Sequence, residues 1–208
     1  MNVGIMNTYL SRLCSLAFMV LVLSACGGGG GGGSSSNPGG TSSAKTKPTT
    51  ITVIDGYIQG AIVCVDKNKN GSCENGETKG ETDRNGKVTL DIPLEDVGIY
   101  PIVAQVPIDA TDSVTGKVTT PYILKAPANS PSVVTPFTTM IQQRIESGSN
   151  YEAAFKFVVD NTGIKAPTSD FMTDYKASTL ARTMVAIRQD RLTALSALTA
   201  CTASQADK

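Results

Sequence analysis

At 208 residues, with 40% apolar and 17% charged side chains, the chain suffices for one ordinary domain or two small ones once leader and linkers are subtracted. Aromatics are only 5% and Trp is absent, so a core must rest on Val, Ile, Leu and Ala. Lys+Arg and Asp+Glu are 18 each, which leaves no basic field to attract nucleic acid, and the absence of His excludes Ser-His-Asp and Cys-His catalysis, HExxH metalloproteases and imidazole metal sites.

Residues 1–25 carry Arg12 as their only charge, followed by the apolar run Leu16-Ala17-Phe18-Met19-Val20-Leu21-Val22-Leu23. That run is too short for a permanent membrane span and suits the h-region of a signal peptide. It ends in Leu23-Ser24-Ala25-Cys26, which resembles the lipobox of bacterial lipoproteins: small residues before the cut, then a thiol for diacylglycerol transfer. The resemblance implies lipidation at Cys26 and a membrane partner reached through that anchor. One acyl chain holds only marginally, at about 0.8 kcal/mol per buried CH₂, whereas a three-chain anchor is effectively permanent. Gly27 occupies the position where Asp would favour inner-membrane retention, so the expected location is the outer membrane, on either face.

The glycine run Gly27 to Gly33 and the Ser/Thr/Pro/Lys stretch after it cannot bury enough apolar surface to offset chain entropy. Residues 26–50 therefore read as a lipidated Cys and a disordered tether. About 24 such residues reach roughly 25–30 Å. No strand precedes the glycines and no GK[ST] follows, so a phosphate-binding loop is excluded.

From residue 51 to about 130 the signals are short strands: Ile51–Ile54, Ala61–Val65, Val88–Ile92, Tyr100–Val106 and about Thr120–Leu124. Turn signals separate them at Asp55-Gly56, Gln59-Gly60, Asn85-Gly86 and Thr115-Gly116. Strands at this spacing with no intervening helix predict an all-β sandwich. Residues 131–208 follow the helical period. Thr135-Pro136 opens one helix and Ser147-Gly148 closes it; Asn150 caps a second that ends near Gly163. A long third helix runs from about Met172 to Ala200, with Leu180, Met184, Ile187, Leu192, Leu195 and Leu198 approximating one face. The fold class is thus α+β: an N-terminal sandwich followed by a small helical region that packs on itself or on the sandwich.

Residues Asp66 to Glu77 satisfy D-x-[DN]-x-[DN]-G-x₅-E without a mismatch. Ca²⁺ seeks six to eight hard oxygens at about 2.3–2.6 Å. Asp66, Asn68 and Asn70 supply side-chain oxygens, Gly71 the sharp turn, Ser72 a backbone carbonyl, Glu74 a direct or water-mediated contact, and Glu77 a bidentate closure. Lys67 and Lys69 occupy outward positions, and Asp83 is a further candidate ligand. Two neutral Asn ligands lower affinity compared with an all-carboxylate loop, but extracellular modules often bind at only about 10⁻⁴–10⁻³ M. The ion's expected effect is structural.

The flanks are not those of an EF-hand. Ala61–Val65 precedes the loop, and Thr82-Asp83-Arg84-Asn85-Gly86 follows as a hairpin-like sequence. With Val53–Ala61, these resemble the strand-borne calcium loops of prealbumin-like modules, of the SdrD B-like or carboxypeptidase-regulatory-like kind. Thr135-Pro136-Phe137-Thr138-Thr139 is similar to the (S/T)P(F/L)TT helix that follows such sandwiches in Gram-negative surface lipoproteins. The resemblance covers roughly residues 51 to 175 and implies a prealbumin-like sandwich and a surface location, with no established activity.

Cys14 leaves with the leader and Cys26 goes to lipid, which leaves Cys64, Cys73 and Cys201. A Cys64–Cys73 bridge would staple the loop to its incoming strand in an oxidising compartment. Free thiols, or a pairing of Cys201 with either, stay open at this level. The expectation is a tethered, non-enzymatic module for binding, adhesion or scaffolding, with a protein or polysaccharide ligand. Its alternatives are a subunit docking through the C-terminal helices and, last, an envelope enzyme using carboxylates such as Asp109 and Asp112.

Overall fold

The computed structural model describes residues 45–206, with side chains described through Arg191. The leader, Cys26 and the tether as far as residue 44 lie outside them, as does the side chain of Cys201. The described chain is α+β, with three sheets and three helices.

One sheet has β1 (Thr46–Val53) between antiparallel β5 (Lys87–Pro93) and parallel β10 (Val133–Val134). A second runs β4 (Lys79–Glu81), β3 (Ile62–Val65), β6 (Ile102–Val106) and β9 (Tyr122–Ala126), antiparallel throughout. The third is small: β2 (Ile58–Gln59), β7 (Thr111–Asp112) and β8 (Gly116–Lys117). Period two explains the cluster between the first two sheets. Ile51, Val53, Leu90 and Ile92 come from one, and Val63, Val65, Ala104, Val106 and Leu124 from the other. The pairs Ala104–Leu124 and Val106–Tyr122 lie directly opposite in register and face this interior.

Two expectations are corrected. The tether does not run to residue 50, because β1 already begins at Thr46 and pairs with β5 from Thr46–Pro93 onward. Thr, Lys and Pro read as unstructured, yet ladder hydrogen bonds need only backbone groups. Pro48 is tolerated because β10 meets β1 only at Thr52 and Val53, so the proline sits on a free edge. The turn Thr82 to Gly86 is not a hairpin within one sheet: it carries the chain from β4 to β5, which belong to different sheets. Asp83 Oδ1 accepts the N–H groups of Asn85 (2.8 Å) and Lys87 (2.9 Å), which holds its carboxyl below the usual range. Gly86 has φ +70°, and a Cβ there would lie 2.6 Å from Val53 O.

The helices begin where their caps stand. Thr135 and Thr138 form a reciprocal capping box for α1 (Pro136–Glu146), with Pro136 at the first turn. Asn150 accepts from Ala153 N–H to cap α2 (Tyr151–Thr162), which ends on Gly163 in the left-handed region. The third, α3, spans Tyr175–Ala206. Phe137, Ile141, Ala154, Val158, Ala177 and Ala181 form a helical core that Ile54, just beyond β1, also enters. The expected face of α3 holds in part: Leu180 and Met184 pack against the helical core beside buried Ala177 and Ala181, whereas Ile187 is 48% exposed and Val185 is buried in its place. The side chains of Leu192, Leu195 and Leu198 lie outside the described residues. No helix among the described residues is long and apolar enough to cross a membrane.

Gly86→Ala should lower stability by about 2 kcal/mol or more, from left-handed strain plus the clash with Val53 O. Urea unfolding of the two proteins measures it.

Candidate functional site

Residues 66–78 connect β3 to β4, which pair antiparallel with Cys64 opposite Lys79. The oxygen-rich loop is therefore strand-borne, as its flanks imply. Its entry is fixed on both sides: Val65 N–H donates to Thr78 O and Asp66 N–H to Pro101 O, both at 3.0 Å. Lys69 and Gly71 take positive φ, 58° and 77°, which bends the backbone around the Asp66 side chain.

That bend turns each carboxylate onto its own donors within the loop. Asp66, only 1% exposed, accepts Asn70 N–H at Oδ1 (3.1 Å) and Gly71 N–H at Oδ2 (2.9 Å). Glu77 accepts Lys67 N–H (2.9 Å) and Glu74 N–H (3.0 Å), which joins the loop's last acid to its second residue. Glu74 takes the side-chain amides of Asn68 (3.1 Å) and Asn70 (2.7 Å). The Oδ1 atoms of those asparagines accept backbone N–H groups, of Asn70 and Ser72 respectively. The structure thus brings Asp66, Asn68, Asn70, Ser72, Glu74 and Glu77 into one hydrogen-bonded loop. Lys67 does turn away from it: its Nζ meets Asp96 at 2.9 Å and lies over the Tyr100 ring. Asp83 is held in its own turn.

The donor chemistry fits a hard cation, since every candidate atom is oxygen and each asparagine oxygen keeps a second lone pair. The charge is low, however. Among the described residues no group of three or more His, Cys, Asp or Glu converges closely enough to hold a metal. Glu74 is instead matched by amide hydrogens.

Cys64 and Cys73 are joined by a disulfide with Cα atoms 5.5 Å apart. In β3, Val63 and Val65 face the core, so Cys64 points to the opposite face. There Cys73 Sγ lies 3.6 Å from Ile62 O and 3.8 Å from Val103 O, and the loop covers that side of the sheet. The bridge encloses Asp66, Asn68, Asn70 and Ser72 in a covalent ring, with Glu74 and Glu77 outside it.

The acids suggested for catalysis do not pair. Asp109 is exposed and bridges to Lys117 at 2.8 Å. Asp112 is buried and organises the β7–β8 turn, accepting the N–H groups of Val114 (2.7 Å), Thr115 (3.2 Å) and Gly56 (3.3 Å). Its true neighbour is Asp55, 4% exposed, which the sequence reading passed over as a turn residue. Burial, then the Asp112 charge, pushes the Asp55 carboxyl up to about 7, against partial relief from Arg182 and the Tyr122 hydroxyl. Burial and both acids push the Tyr122 phenol up as well. Asp-Gly marks a turn in any sequence; nothing local announces a partner 57 positions later.

No family model matches the chain, and no curated protein or solved structure matches it. The loop and the Asp55–Asp112 pair therefore stand on their own geometry.

Replacing both Cys64 and Cys73 by Ala should cost about 2–3 kcal/mol, the loop-closure value for a ring of this size. Denaturant unfolding of the double variant tests this, with amide exchange in residues 66–78 rising above that of β6.

Proposed function

We propose that the chain is an outer-membrane lipoprotein whose tethered, prealbumin-like sandwich, stabilised by calcium, serves as a non-enzymatic module for binding or scaffolding outside the cytoplasm. The observation that carries this reading is the loop of residues 66–77: six oxygen donors in one strand-to-strand bend, stapled by Cys64–Cys73. A disulfide in so small a body suits an oxidising compartment, in keeping with the lipobox ending at Cys26. Two sheets contributing to one apolar cluster support the sandwich. Calcium in this loop would add neutralisation that Lys67, committed to Asp96, does not supply. The Asp66, Glu74 and Glu77 carboxylates, the Asn68 and Asn70 amides and the Ser72 carbonyl would hold it. A second reading, docking to a larger assembly through α3, is favoured by Tyr175 and Ile187, 82% and 48% exposed on that helix.

Raising calcium from EDTA to about 10 mM should stabilise the protein by roughly 1.5–2.5 kcal/mol, if affinity is in the extracellular range. Calorimetry should show the midpoint rise by about 3–10 °C, and Glu77→Gln should remove the shift. A midpoint indifferent to calcium removes the metal from the reading.

The anchor has a separate test. Cells fed an alkyne-tagged fatty acid should label the chain, and Cys26→Ser should abolish the label. Labelling that survives the substitution excludes Cys26 as the lipid site.

A further inference from the structure

Asp55 lies in the turn that follows β1, where β7, β9 and α3 meet. Asp112 of β7 lies beside it, Tyr122 of β9 hydrogen-bonds it, and Arg182 of α3 faces it. Lys117 of β8 lines the same cleft but is paired with Asp109. The cleft, about 270 Å³, opens between α3 and the β7–β8 turn. Two carboxylates, 4% and 3% exposed, thus lie together, and the Arg182 guanidinium that attracts Asp55 also donates to Ser178 Oγ at 3.3 Å. Asp55 Oδ1 is the one buried side-chain polar atom without a hydrogen-bond partner among the described residues. A buried carboxylate in that condition is costly as an anion and far less so when it holds a proton.

The walls are unequally fixed. The β7–β8 turn is tied to the chain after Asp55 by Ser113 N–H to Tyr57 O (3.0 Å), Tyr57 N–H to Ser113 Oγ (2.9 Å) and Gly56 N–H to Asp112. A Cβ on Gly56 would collide with the Asp112 carboxylate, so that seam is closed at backbone level. Over this stretch α3 meets the sheet through side chains: Arg188 to Ile123 O (3.2 Å), Gln189 to Thr120 O (3.0 Å), and Val185, which is buried in the sheet core. Beneath it lie Tyr122 and Leu124 of that core.

We propose that this junction is a proton-controlled latch: with Asp55 neutral, α3 sits closed over the sheets, and with Asp55 charged the helix lifts and uncovers the apolar surface beneath Val185. The sign follows from linkage. Solvated by lifting, Asp55 recovers an ordinary carboxyl value of 3.8, against about 7 when closed. Closure is thus fully favoured below about pH 4 and loses up to tenfold per pH unit until about pH 7, above which both states are charged and the curve levels. Arg182 attracts the anion and limits the shift without reversing it.

Amide exchange on the whole chain at low denaturant separates local openings from whole-molecule unfolding, because the latter depends more steeply on denaturant. Amides of residues 178–191 should exchange through a local opening. Its equilibrium, corrected for intrinsic rates, should rise up to tenfold per unit from pH 5 to 7 and then flatten. Asp55→Asn should make it independent of pH. The latch is overturned if these amides exchange only together with β6, or if Asp55→Asn retains the slope. Should that variant fail to fold, carboxyl NMR of the wild-type chain decides. A midpoint for Asp55 near 7 that tracks α3 exchange supports the latch, and one near 4 ends it.

Discussion

In β3 the alternation of side chains does two jobs at once. Val63 and Val65 enter the cluster between the sheets, which fixes the strand's register, because a slip of one residue would turn both valines outward. The same register sends Cys64 to the other face and leaves Asp66 at the strand's end, where its N–H meets Pro101 O. The disulfide then brings Cys73 back over that outer face, and the loop has little choice of path. The oxygen-rich bend is therefore placed by the core rather than by its own hydrogen bonds. This is why a sequence of Asn, Gly and Lys, a poor folder by itself, can be held in one geometry.

The helical region obeys a related constraint. Ile54, one residue past β1, enters the helical core, and Val185 of α3 enters the sheet core. Each cluster thus borrows from the other's elements. Thr138 and Thr139 reinforce the joint: Thr138 Oγ1 donates to Lys125 O at 2.7 Å, and Lys125 N–H donates to Thr139 Oγ1 at 2.8 Å. The capping box of α1 is accordingly also the clamp of α1 on β9. Asp55 sits immediately after Ile54 in this joint, which explains why a turn aspartate is drawn into the interior at all.

Much of this was legible, and the reasons are local. Caps at Thr135 and Asn150, the αL stop at Gly163, and the alternation in β5 are written within a few residues. The loop's strand-borne setting followed from the β-branched residues before it. What escaped has a different character. The strands β2, β7, β8 and β10 have two residues each, too few to carry a period. The ladder at Thr46–Thr50 is made of backbone groups that composition does not report. Asp55 and Asp112 meet through topology alone. Leu180 and Met184 marked the side of α3 that packs, but its most buried positions, Ala177 and Ala181, register weakly on any apolar scale.

For the calcium reading the loop sets its own competition. A cation would have to draw Glu74 away from two amide donors, Asn68 and Asn70. The amides need not be lost: each Oδ1 has a free lone pair, so the groups that now neutralise the acid could turn ligand themselves. The bridge favours that exchange, since four of the six donors lie in its ring and keep their spacing whether or not Glu74 moves. The entropy of ordering them is met on folding and not on binding, which is how a loop with only three carboxylates could hold an ion at extracellular concentrations. Glu77, which accepts Lys67 N–H and Glu74 N–H, already ties the loop's end to its beginning, so a bidentate grip from it would ask for little movement of the backbone.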